Sequence, residues 1–99
     1  MTRFAVYRNP EGPGYLLDLQ ADLLDHLNTR VVAPLLAADV APKPAATLNP
    51  VIEIDGAPFV MVTQFMAAVP VQMLRTPVAN AEARRGEIVA AVDLLFQGF

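Results

Sequence analysis

Short runs of alternating apolar and polar residues fill most of the chain, and a helical spacing replaces them only at its end. Residues 3–8 read as a strand with Phe4 and Val6 on one face and Ala5 and Tyr7 on the other. Asn9-Pro10-Glu11-Gly12-Pro13-Gly14 is a dense set of turn formers, so the chain reverses there. Residues 15–20 return as a second strand, with Leu17 and Leu19 facing inward. Residues 30–37 predict a third strand, in which Pro34 implies an edge or a bulge because proline cannot donate to a ladder. The clearest hairpin signal is residues 51–54, then Asp55-Gly56, then residues 57–63. Ile52 and Ile54 point inward on one of its strands, Phe59 and Met61 on the other. Residues 69–74 add a strand with Val69, Val71 and Met73 on one face and Pro70 marking an edge, and Thr76-Pro77 ends it.

From residue 80 to residue 99 the spacing is that of one amphipathic helix. Ile88, Val92, Leu95 (with Phe96) and Phe99 recur at three- and four-residue steps. Asn80 predicts the N-cap, Glu82 and Glu87 lie toward the positive end of the helix dipole, and Gly98 suits the left-handed residue that ends a helix. Two readings of the aromatic ending stand open. Either Phe96 and Phe99 fold back as core, or the end of the helix is a docking tip. Between the strands, residues 38–50 read as an Ala- and Pro-rich surface loop, the segment expected to move most. Leu23 and Leu24 are adjacent in an irregular stretch, so both cannot face one core, and one of them is expected at the surface.

Strands in succession followed by one terminal helix predict a small antiparallel barrel with a helix packed on it, mainly β with α. Ninety-nine residues make a single domain over 1–99, with no internal repeat or boundary. Hydrophobic residues make up 55% and charged residues 17%, against roughly 25% charged in ordinary domains. So few charges point to self-association, and a homodimer is expected. The net charge of −3 argues against direct nucleic-acid binding, which needs clustered Lys and Arg. With no cysteine, no serine and one histidine, most hydrolytic sites cannot be built, and no thiolate metal site is possible. Asp22, Asp25 and His26 read as a solvated acidic patch and not as metal ligands. No cofactor is expected. No apolar run is long enough to span a membrane, and the chain reads as a soluble cytoplasmic domain, not an enzyme.

Four segments then carry a family likeness. Asp18-Leu19-Gln20-Ala21-Asp22-Leu23-Leu24-Asp25, Pro50-Val51-Ile52-Glu53-Ile54, Met66-Ala67-Ala68-Val69-Pro70-Val71 and Asp93-Leu94-Leu95-Phe96-Gln97-Gly98-Phe99 resemble the CcdB family, in the right order over nearly the whole chain. The resemblance implies an SH3-like antiparallel barrel with a C-terminal helix, a two-fold dimer, and the toxin half of a toxin–antitoxin pair. It implies binding to the A subunit of DNA gyrase, which traps the enzyme's cleaved complex with DNA. It also implies a CcdA-type antitoxin whose disordered segment removes the toxin. Carried onto matching positions, the gyrase-facing residues are Leu23, Leu24, Asp93, Phe96, Gln97, Gly98 and Phe99. The antitoxin-facing ones belong to the first hairpin: Tyr7, Arg8, Glu11 and Tyr15.

Three departures bear on the function that the resemblance implies. Gln97 stands where the family carries a tryptophan that anchors the contact, Phe99 where it has a smaller aliphatic residue, and Asp93 where it has an amide. Loss of such an anchor costs about 2 kcal/mol or more. Three function classes follow. The first is a gyrase-directed toxin that works by contact. The second is a relative with a lost or changed target, acting as an antitoxin-binding decoy. The third is an endoribonuclease, because MazF-type toxins share this barrel; an acidic chain lacks the positive groove that RNA cleavage needs.

Overall fold

The computed structural model describes residues 2–99. Seven strands form one antiparallel sheet that curls into a nearly closed barrel: β1 (Ala5–Arg8), β2 (Tyr15–Asp18), β3 (Thr29–Ala37), β4 (Val51–Ile54), β5 (Ala57–Met61), β6 (Ala67–Pro70) and β7 (Ala79–Asn80). The strand order is β4-β5-β3-β2-β1-β7, with β6 paired to β3 beside β5. The helix α1 (Arg85–Gln97) closes the chain after a 3₁₀ turn at Glu82–Arg84.

Both hairpins form where the turn chemistry places them. Asp55 and Gly56 take φ of 52° and 81°, the paired left-handed conformation that matches the twist of β4 and β5. In the first hairpin Gly14 has φ of 84°, and a Cβ there would run into the Leu35 carbonyl of β3. Only glycine lets β2 begin so close to its neighbour. β1 starts at Ala5, two residues later than the alternation suggests, because Phe4 itself has a left-handed φ of 71°.

The strand β3 is central, so of the two readings of Pro34, an edge or a bulge, the edge is wrong. It pairs with β6 through Thr29 to Val32 and with β5 through Leu35 to Ala37. Pro34 lies in the gap where one partner gives way to the other, and its carbonyl accepts from the Val62 amide at 3.0 Å. The donor that proline lacks belongs on that same side, where neither β5 nor β6 pairs with it. Pro70 does end an edge strand. A second correction concerns residues 71–74. The strand stops at Pro70 and Val71–Met73 winds into a 3₁₀ turn, with the Leu74 amide donating to the Val71 carbonyl at 2.9 Å.

Apolar residues on the two faces of the β1–β2–β3 ribbon form separate clusters. Phe4, Val6, Leu17, Leu19, Ala33 and Leu35 pack with Ile52, Ile54 and Met61, and onto this face α1 sets Ile88 and Ala91, both fully buried. The opposite face gathers Ala5, Tyr7, Leu16 and Val32 under Leu74. The loop before β4 is held more firmly than its composition suggests. Asn49 is 4% exposed, exchanges hydrogen bonds with Ala45, and donates to the Met61 carbonyl at 3.0 Å and Gln64 Oε1 at 2.8 Å. The Thr63 hydroxyl donates to the Leu48 carbonyl.

The helix begins five residues later than its apolar spacing implies. Asn80 belongs to β7, paired with Ala5, and its Oδ1 accepts the Glu82 amide at 2.7 Å to start the 3₁₀ turn. The first turn of α1 is braced instead by Arg84, whose Nε and Nη2 donate to the two Glu87 oxygens at 2.6 and 2.7 Å.

Candidate target-binding surface

The last turn of α1 leaves the barrel. Ile88 and Ala91 are buried and Val89 and Val92 lean on the core, but Leu95 is 37%, Phe96 70% and Phe99 84% exposed. The core alternative for the two aromatics is therefore wrong, and the inward face ends near Val92. Gly98, at φ of 81°, donates to the Leu94 carbonyl at 3.0 Å, which closes the helix and turns Phe99 off its axis. A Cβ on Gly98 would meet nothing within 4 Å, so this glycine serves backbone shape and not packing. Asp93 and Gln97 share one side of the turn, Gln97 Nε2 donating to Asp93 Oδ1 at a long 3.5 Å. The result is two apolar rings one turn apart, beside an amide and a carboxylate, on a rigid support.

Leu23 and Leu24 form a second apolar patch, in the 3₁₀ turn Asp22–Leu24 between β2 and β3, at 87% and 42% exposure. Both are at the surface, one more than expected. No hydrogen bond or ion pair among the described residues joins this loop to the helix tip, so the two patches are brought out by separate elements.

What holds that loop is a polar cluster that sequence reasoning missed. Arg30, at the head of β3, is fully buried, its Nε and Nη2 on Asp18 Oδ2 at 2.9 and 2.8 Å. Its Nη1 donates to Asp25 Oδ1 and its Nη2 to the Gln20 carbonyl, both at 3.1 Å. Burial pushes the Asp18 carboxyl above its ordinary pKa, against the pull of the Arg30 guanidinium and the Gln20 amide. The signal available in the sequence was an arginine opening a valine-rich strand, twelve residues after an aspartate inside a leucine run. Asp22 accepts the Arg3 amide at 2.7 Å, so both acidic neighbours of Leu23-Leu24 act as struts of the loop.

The first hairpin carries Arg8 and Glu11 exposed and Tyr15 half-buried, its ring edge-on to Phe59 with centroids 5.0 Å apart. Tyr7 departs from the expectation of a contact residue. It is 3% exposed, and burial, with the nearby Asp18 charge, raises its phenol pKa. Tyr7 sits instead on the floor of a groove of about 360 Å³ whose rim includes Arg8, Met73, Arg75 and Val78.

A family model described as CcdB protein matches residues 3–98. The chain belongs to the CcdB family. That membership places it among the toxins of toxin–antitoxin pairs. In three dimensions the chain is similar to an endoribonuclease in complex with its cognate antitoxin from a mycobacterial species, with a TM-score of 0.75 and 15% identity over 94% of this chain and 91% of that one. It is also similar to the Mycobacterium tuberculosis toxin MazF-mt6, with a TM-score of 0.69 and 17% identity over 93% of this chain and 95% of that one. At such identities the likeness concerns the fold alone, and it agrees with the barrel described above. Among the described residues, no helix is long and apolar enough to cross a membrane.

Proposed function

We propose that this CcdB-family chain is a toxin that binds the A subunit of DNA gyrase and holds the enzyme in its DNA-cleaved state, acting by contact and without catalysis of its own. The observation that carries the reading is the pair Phe96 and Phe99, 70% and 84% exposed on the end of a helix whose other face is locked into the core. An exposed apolar tip of this kind marks an interaction surface, and aromatic side chains in such positions dominate interface energy. Leu23 and Leu24 supply a second contact. The toxin acts as a homodimer in the cytoplasm, two tips meeting a target that is itself two-fold. A CcdA-type antitoxin grips the first hairpin through Arg8, Glu11 and Tyr15 and relieves the block.

The test is a supercoiling assay with gyrase from the same host, read together with the yield of protein-linked DNA breaks. Inhibition with accumulating breaks at micromolar protein supports the proposal. Absence of both, from a folded chain, favours the second reading, an antitoxin-binding decoy. Gln97 is the observation behind that alternative: it is exposed at the tip where the family's indole stands, and it offers no ring face. RNA cleavage is the reading that the fold likeness raises. Against it, Arg30 is fully buried in an ion pair, and His26 lies on an exposed loop.

A further inference from the structure

The loop that presents Leu23 and Leu24 has little apolar packing to hold it, with Leu24 and Leu27 covered only in part at 42% and 41% exposure. Every residue from Ala21 to Thr29 is exposed, and the local bonds, Leu24 to Ala21, Asp25 to Asp22 and Leu27 to Leu24, are those of isolated 3₁₀ turns. Isolated turns of this kind are marginal in water. Among the described residues, the Arg3 backbone amide reaches Asp22 and the Arg30 guanidinium reaches Asp25, both ending on side chains, and the Val71 amide donates to the Asn28 carbonyl at 3.0 Å at the foot of the loop, away from the backbone of the turn that carries the leucines.

One neutral side chain does reach that backbone. Gln20 is 8% exposed. Its Nε2 donates to the carbonyls of Leu24 and Thr29, each at 3.1 Å, and its Oε1 accepts the Val31 amide at 3.0 Å. The turn, the foot of the loop and the third residue of β3 are thereby tied to a single amide. Gln20 itself is fixed at both backbone ends, its amide donating to Asp18 Oδ1 at 3.0 Å and its carbonyl accepting from Arg30. The chain of support runs from the buried ion pair through Gln20 to Leu24.

We infer that Gln20 is a positioning residue for target binding, holding the Leu23–Leu24 turn in the one conformation that presents both side chains. The inference rests on the gyrase reading for the identity of the target, though not for the state of the loop. A loop ordered before contact does not lose its freedom on binding, which is where preorganisation strengthens a complex.

Gln20→Glu keeps the shape and the acceptor for Val31, but turns the donor toward Leu24 and Thr29 into an oxygen. In the full chain, backbone order parameters over residues 22–28 should fall from about 0.85 to below about 0.6 while the strands stay rigid. Binding to immobilised gyrase A subunit should weaken about ten-fold. In a Leu23→Ala, Leu24→Ala background the same substitution should cause no further loss, because nothing remains to be presented; a general structural defect would weaken both backgrounds alike. Gln20→Ala repeats the test should the glutamate variant fail to fold. An unchanged loop, or equal losses in the two backgrounds, overturns the inference. If the wild-type chain does not bind gyrase, the toxin reading fails separately, and the relaxation data still decide whether Gln20 orders the loop.

Discussion

Removing Phe99 should abolish most of the chain's effect on gyrase and leave its stability untouched. A phenylalanine buries roughly 200 Å² when fully enclosed. With 84% of Phe99 and 70% of Phe96 open, about 170 and 140 Å² remain for a partner to cover. At about 25 cal/mol per Å² these areas set ceilings near 4 and 3.5 kcal/mol. Ordering each side chain on binding costs about 0.5–1.5 kcal/mol, which leaves roughly 2.5–3.5 kcal/mol for Phe99 and 2–3 kcal/mol for Phe96. Phe99→Ala should therefore raise the concentration needed to inhibit supercoiling by about seventy- to four-hundred-fold. The same variant removes no core contact, so its unfolding free energy should stay within about 0.5 kcal/mol of the parent. Gel-based supercoiling titrations and denaturant unfolding on the same preparations measure the two quantities. Inhibition shifted by less than about three-fold, or a stability loss of several kcal/mol, would show that the ring is used internally and refute the reasoning.

Further outcomes follow from particular contacts. Gln97→Trp should tighten gyrase inhibition with little change in thermal midpoint, since position 97 is exposed; a matching fall in stability would place that side chain inside. Asp18→Asn leaves the Arg30 guanidinium buried beside a half-exposed Asp25, and guanidinium chloride titration should record a loss of about 3–5 kcal/mol. Gly14→Ala forces a Cβ against the Leu35 carbonyl at a φ of 84°, and should cost about 2 kcal/mol or more in the same assay. The Glu87 carboxyl is held below its ordinary value by hydrogen bonds from Arg84, so its contribution is present above the unfolded value of 4.5 and fades as pH falls through the lower folded one. Because that pair is exposed, Glu87→Gln should only slightly flatten the acid-side fall in thermal midpoint, and 1 M salt, with a screening length of about 3 Å, should remove the difference.

Alternation and turn chemistry carried the barrel because they are local. Ile52 and Ile54 face the core as their period demands, and the Asp55-Gly56 pair forms its hairpin without help from the rest of the chain. Errors came where tertiary context decides. Pro34 read as an edge or a bulge because the sequence does not show that β3 changes partners at that residue. Phe96 fits a helical face by spacing, yet the barrel ends before the helix does, and no periodicity encodes where a neighbour stops. The exposed tip was legible only in part: Gly98 marked the end of the helix, but residue chemistry left Phe96 and Phe99 open between core and docking tip. Its counterpart at Leu23-Leu24 was legible as a pair that cannot both be buried. The Arg30 and Gln20 scaffold was not: a buried ion pair looks in sequence like any two surface charges, and only folding brings Asp18 and Asp25 onto one guanidinium.

The many partners of β3 set the order in which this molecule can assemble. Val32 meets Ala67, and Leu35 meets Met61, across long stretches of chain, so these pairings wait on slow, non-local closure. During synthesis from the ribosome the first three strands have no β4–β5 hairpin to pair with until residue 61 has emerged, and Ile88 has no seat until Ile52 and Met61 are in place. Phe96 and Phe99 thus follow every strand of the scaffold that keeps them pointed outward.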